Sequence, residues 1–259
     1  MNHEITHIQT PEEQELVAKH DELEYLETDL AQQEMELATL LAELQAFEFL
    51  YMGTVGVKIA ELDALEASIA EAMAAQNPRD RHAKQAAAEA RTQAGQSQTA
   101  AEGALETAAP IVPTPELKLL FRAVARSIHP DLSADETELP RRTSLMAQAN
   151  QAYRQGDDSG LRRILEDWHS APEAIRGAGV GADLVRVIRR MAQIEKRLNQ
   201  IGQEMDELEY SDLFQLRLEV EDADADGYDL LSEMAAELDE RIAAAQRRLD
   251  RKRAQEAKA

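Results

Sequence analysis

The residues whose types and spacing could do chemistry centre on His129-Pro130-Asp131. An imidazole and a carboxylate two positions apart can move a proton, but only beside a substrate pocket and an oriented partner. Pro130 biases His129 away from the helical region, so the triplet is expected on an exposed corner between elements. Upstream, Lys118, Arg122 and Arg126 recur at i, i+4 and i+8 and form a basic stripe on one side of a helix. The candidate site residues are therefore Lys118, Arg122, Arg126, His129, Pro130 and Asp131, with no catalytic residue, metal or cofactor expected; the stripe by itself reads equally well as a solvated helix face.

Other motifs carry less. Asp222-x-Asp224-x-Asp226-Gly227 with Glu233 has the spacing of a calcium-binding loop. Its eighth position, normally apolar, is Asp229, and no second loop exists to pair with it. An acidic helix or turn accounts for it better. His3, His7, His20, His82 and His169 lie in no metal-ligand spacing, and no glycine-rich phosphate loop occurs. Acidic pairs such as Glu12-Glu13 read as solvated coil faces. The chain is not expected to be an enzyme.

The elements that position the triplet follow from periodicity. Leu117, Leu120, Phe121, Val124, Ala125 and Ile128 share one helical face, so a helix should run from Glu116 to the triplet. Pro140 suits a first helical turn. Beyond it, Met146, Ala149, Asn150 and Tyr153 recur at helical spacing, with Gly156 as a stop. Two such helices joined by so short a link fold back antiparallel, with the triplet at the tip. Asp157-Asp158-Ser159 offers an N-cap for a third helix bearing Leu161, Ile164, Leu165 and Trp168, which should pack under the hairpin.

At these residues the chain resembles a known family. Glu116-Leu117-Lys118, Phe121-Arg122, Val124-Ala125 and Ile128-His129-Pro130-Asp131, followed by Asn150, Ala152 and Tyr153, resemble the J-domain of DnaJ-type co-chaperones. Where the family has a first helix, this chain reads Ala-Pro-Ile-Val-Pro-Thr-Pro before Glu116. No Gly/Phe-rich segment or zinc module follows. The resemblance implies a DnaK-type ATPase as partner, with ATP hydrolysis stimulated when the triplet and the basic stripe dock. The alternative is a coiled-coil structural or adaptor protein whose hairpin no longer stimulates a chaperone.

Composition agrees with a helical chain. Among 259 residues aromatics make up 4%, and there is no cysteine, hence no disulfide or thiol chemistry. The net charge of −22 is concentrated in residues 1–76, which hold 17 acids and 2 bases. That balance argues against nucleic acid and anionic membranes as partners. No apolar run is long enough to span a bilayer and no signal-peptide layout opens the chain, so a cytoplasmic location is expected.

The flanks read as coils. Leu16, Leu23, Leu30, Leu37 and Leu44 are seven apart, and Leu26, Leu40 and Phe47 fill the alternate position. Gly53 and Gly56 interrupt the pattern before Ile59, Leu62, Leu65, Ile69 and Met73 resume it. A turn or a kink would fit the glycines, and a break is preferred. Met191 to Leu208 and Leu231 to Leu249 repeat the theme around an irregular acidic piece, Ser211 to Tyr228, which suggests an antiparallel hairpin. The expected fold is all-α: an acidic coiled-coil region (1–77), a flexible linker poor in large apolar residues (78–115), a J-like helical domain (116–170), a loop (171–182) and a C-terminal helical hairpin or coiled coil (183–259). Its apolar seams require a partner, either within the chain or in a homo-oligomer.

Overall fold

The computed structural model describes residues 10–106, 111–133, 138–169 and 179–256. In chain order the helices are α1 (Pro11–Tyr51), α2 (Val57–Gln76), α3 (Arg81–Glu106), α4 (Pro115–Ile128), α5 (Leu139–Arg154), α6 (Asp158–His169), α7 (Val180–Glu209), α8 (Asp212–Ala225) and α9 (Leu230–Glu256). A π-helical turn, Met52–Gly56, follows α1, and a 3-10 turn, Pro130–Leu132, follows α4. No strand occurs among the described residues, so the fold is all-α. No helix among them is long and apolar enough to cross a membrane. The chain divides into two compact units, Met1–Glu43 with Ile111–Tyr210, and Leu44–Pro110 with Ser211–Ala259.

In the first unit the heptad seam finds its partner within the chain. Leu23, Leu30 and Leu37 of α1 are buried with Val187, Met191, Ile194 and Ile201 of α7. Val187, Ile194 and Ile201 step in the same sevens as the leucines they meet. Arg190 pairs with Glu27 at 2.8 Å, and Arg197 with Glu34 at 2.8 Å one heptad later. The two helices therefore run parallel in one register. A second core joins α4, α5 and α6, and Ala31 and Ala38 of α1 lie against it.

The second unit answers the rest of the coil in the same way. Phe47, Val55 and Leu62 are buried with Val220 of α8 and Leu231 and Leu238 of α9. Lys58 pairs with Asp239 and Lys252 with Gln76, so α2 and α9 run parallel. The expected hairpin of the two C-terminal coils does not form as such: α7 belongs to the first unit and α9 to the second. The intervening acidic piece is not irregular either. It is α8, with Ser211 as N-cap accepting from the Phe214 amide. The backbone also stays helical through Gly53 and Gly56, where an extra residue per turn is absorbed as a π-bulge instead of a break.

Residues 81–106 are not a flexible linker but helix α3, antiparallel to α2. Asp63 accepts from the Ser97 hydroxyl at 2.6 Å, and Arg91 pairs with Glu71 at 2.7 Å. Asp80 caps the helix by accepting from the amides of His82 and Ala83. Ala87 and Ala101 are buried. Alanine costs little to hold helical and leaves room for a close helix neighbour, so packing succeeds here without large side chains.

Two measurements check these packings. Leu30→Ala, at a fully buried site, should lower stability in urea unfolding by about 2–5 kcal/mol; a loss within error would mean the α1–α7 seam is not packed. Gly95→Pro should cost about 2–3 kcal/mol and reduce helicity, whereas a linker would accept proline with no change in circular dichroism.

Candidate functional site

The site begins with α4. Thr114 caps it by accepting from the Leu117 amide at 3.2 Å, and Pro115 occupies the first turn. Its apolar face, Leu117, Phe121, Val124, Ala125 and Ile128, is buried. The rings of Phe121 and Tyr153 lie 4.6 Å apart. Near the other end, Arg142 of α5 donates to the carbonyls of Ser127 and His129 at 3.2 and 3.3 Å. Helices α4 and α5 are therefore antiparallel. Gly156 ends α5 with φ +66°, while the Asp157 amide reaches back to the Ala152 carbonyl at 2.8 Å. Asp157 also caps α6 through the Gly160 amide, and Leu161 and Ile164 close the core from below.

The corner after α4 is not exposed, as its proline would suggest. His129 leaves the helix at φ −53°, ψ 134°, yet it is only 4% exposed. Its Nδ1 accepts from the Asp131 amide at 3.1 Å. That leaves the ring hydrogen on Nε2, which donates to Glu34 Oε1 of α1 at 2.9 Å. The same carboxylate oxygen accepts from Arg197 Nε of α7 at 2.8 Å. Burial would raise the Glu34 carboxyl, but hydrogen bonds from His129 and Arg197, together with the guanidinium charge, outweigh it and hold the group below its ordinary value. Pro130 and Asp131 stay half-buried. Leu132 of the same turn is buried in the α1–α7 seam.

The basic stripe is also engaged. Arg126 pairs with Glu24 at 3.1 Å, Arg122 donates to Gln32 Oε1 at 3.0 Å, and Lys118 Nζ lies 3.9 Å from Glu43. As α1 ascends from Glu24 to Glu43, its partners descend α4 from Arg126 to Lys118. All three lie at the solvent edge, where such contacts are worth up to about 1 kcal/mol each. Between them, Thr39 gives its hydrogen to the Met35 carbonyl and takes one from the Tyr153 hydroxyl at 2.7 Å. The structure thus brings Lys118, Arg122, Arg126 and His129 onto one face of α1, with Pro130 and Asp131 beside it.

Sequence reasoning missed Glu34, Arg197 and Arg142. A signal existed for the first two. Glu34 falls between Leu30 and Leu37, and Arg197 between Ile194 and Ile201, each a charge on an apolar seam. Arg142 carried no such mark. Its guanidinium holds the last carbonyls of α4, pairs with Glu138, and lies 4.4 Å from the Trp168 ring centroid, so it braces the corner between α4, α5 and α6.

The calcium-like segment has a local explanation. Asp222 and Asp224 sit on α8, Asp226 ends it, and Gly227 turns the chain at φ +79°. Asp229 caps α9 by accepting from the Ser232 amide and hydroxyl, which lower its carboxyl pKa. No group of three candidate metal ligands occurs among the described residues. His3 and His7, and most of the expected 171–182 loop, lie outside those residues.

Two predictions follow from the corner. A carboxyl depressed in the folded state contributes stability above its unfolded value, near 4.5, and loses that contribution as pH falls through the folded value. Wild-type stability should therefore drop on acidification below pH 4.5, and Glu34→Gln should flatten that limb while costing on the order of 3 kcal/mol near neutrality. An unchanged acid limb would contradict the pairing. Arg142→Ala should cost about 2–3 kcal/mol in chemical unfolding, because two carbonyl bonds and a stacked ring contact are lost; a cost near zero would remove it from the corner.

Among known proteins, no family model, no curated protein and no solved structure matches the chain.

Proposed function

We propose that this chain is a J-domain-like co-chaperone, not an enzyme, and that its partner is a DnaK-type ATP-driven chaperone. The observation that carries the reading is one continuous run of chemistry. The basic stripe Lys118, Arg122 and Arg126 leads along α4 into His129-Pro130-Asp131. The Ala152 and Tyr153 side of α5 packs on the apolar face of the same helix. That run resembles the family's motif at Glu116-Leu117-Lys118, Phe121-Arg122, Val124-Ala125, Ile128-His129-Pro130-Asp131, Asn150, Ala152 and Tyr153. Lys118, Arg122 and Arg126 would supply attraction and on-rate toward an acidic surface. His129 and Asp131 would couple docking to ATP hydrolysis, and Pro130 fixes the turn between them. The coils would position the hairpin or recruit a client.

A second reading is supported by a specific observation. The stripe and His129 are already satisfied by α1, as they would be in an adaptor whose hairpin serves only as a folding unit. The two readings differ in one assay. Steady-state ATP turnover by the DnaK-type chaperone from the same source should rise as wild-type chain is titrated in. It should fall back by tenfold or more in stimulation with Asp131→Asn, a half-buried position whose change leaves the hairpin core intact. His129→Gln should behave alike. Stimulation that persists in both variants would overturn the docking role of the triplet. No stimulation by the wild-type chain or by any variant that frees its basic stripe would favour the adaptor.

A further inference from the structure

We infer that α1 is a cover that occupies the docking face in cis, so that a chaperone partner must compete with the chain's own acidic helix. This rests on the co-chaperone reading for the partner's identity, but the cover itself is argued from contacts. Every cation of the stripe and the imidazole of the triplet meets a polar group of α1: Glu24, Gln32, Glu34 or Glu43. Residues 1–76 carry 17 acids against 2 bases. Helix α1 therefore presents to α4 the same chemistry that a docking partner must present: carboxylates along a helix-length surface.

The contact is built to release. The hairpin has its own core, in which Phe121, Val124, Ile128, Tyr153, Leu161 and Ile164 are buried together; α1 adds only Ala31, Ala38 and part of Met35. The larger apolar residues of α1, Leu23, Leu30 and Leu37, face α7 instead. Withdrawing the hairpin would take only Leu132 out of that seam and leave its leucine–isoleucine contacts in place. It would also orphan no charge. When His129 leaves, Glu34 keeps Arg197. When Tyr153 leaves, Thr39 keeps the Met35 carbonyl. The main apolar tie to be pulled free is Leu132, buried beside the α1–α7 seam. Competition of this kind weakens the apparent affinity for a partner by the fraction of chain that is open; nine molecules in ten closed means about a tenfold loss.

The test uses the full chain with two releases. Glu24→Arg with Gln32→Arg and Glu43→Arg turns the polar contacts repulsive without touching either core. Leu132→Ala loosens the apolar tie by a different route. The chain has no cysteine, so Leu41→Cys and Leu119→Cys, both exposed in the parent, accept spin labels that report the α1–α4 separation. The cover predicts one short distance in the parent, a longer population in both releases, and half-maximal ATPase stimulation at roughly tenfold lower chain concentration in the releases. Unchanged distances in both folded releases would overturn it. So would a parent that stimulates at the same concentration as the opened variants. If the distance lengthens but the chaperone is stimulated by none of these chains, the cover stands and the co-chaperone reading fails.

Discussion

The structure of the first unit depends on one buried carboxylate. Glu34 sits in an apolar seam between Leu30 and Leu37, and facing it Arg197 sits between Ile194 and Ile201. A carboxylate there is tolerable only when paired. Any slip of α1 against α7 would strand it, so the pair fixes register where leucines alone would accept several alignments. Glu34 then accepts a second hydrogen bond, from His129. The same atom that sets the coil thus also fixes where the corner after α4 must lie.

This explains how much of the molecule can be read from the chain. The helix ending at His129, the helix of Ala152 and Tyr153, and the capped helix of Trp168 are legible because their signals are local: apolar spacing, a proline, a glycine and a cap. The leucine heptads announce that a partner is needed. They do not say which, because α7 and another copy of α1 would present similar apolar knobs. The burial of His129 is equally hidden. Proline dictates a corner, but only a helix more than ninety residues away decides whether water reaches it. Helix α3 was hidden for another reason. The segment lacks large apolar residues, so its sequence promises little burial, and here Ala87 and Ala101 gain stability from close approach that hydrophobicity alone does not register.

The hairpin core and the candidate docking stripe meet on α4. One side of this helix holds the hairpin together through Phe121, Val124 and Ile128; the neighbouring side carries the stripe that α1 engages. The residues that would contact a partner contribute little to the hairpin core. Their contacts with α1 can therefore change without unfolding the hairpin. The opposite holds for Arg142 and Trp168, which brace the corner from beneath and set its shape.

The central claim is that His129 is held by Glu34 with its ring hydrogen on Nε2. Nitrogen-15 NMR of the histidine side chains reads this directly. The account predicts one imidazole with a slowly exchanging Nε2 hydrogen, an unprotonated Nδ1 and a cross-peak that disappears in His129→Gln. A His129 ring that averages between tautomers and exchanges with water as freely as an exposed histidine would contradict it.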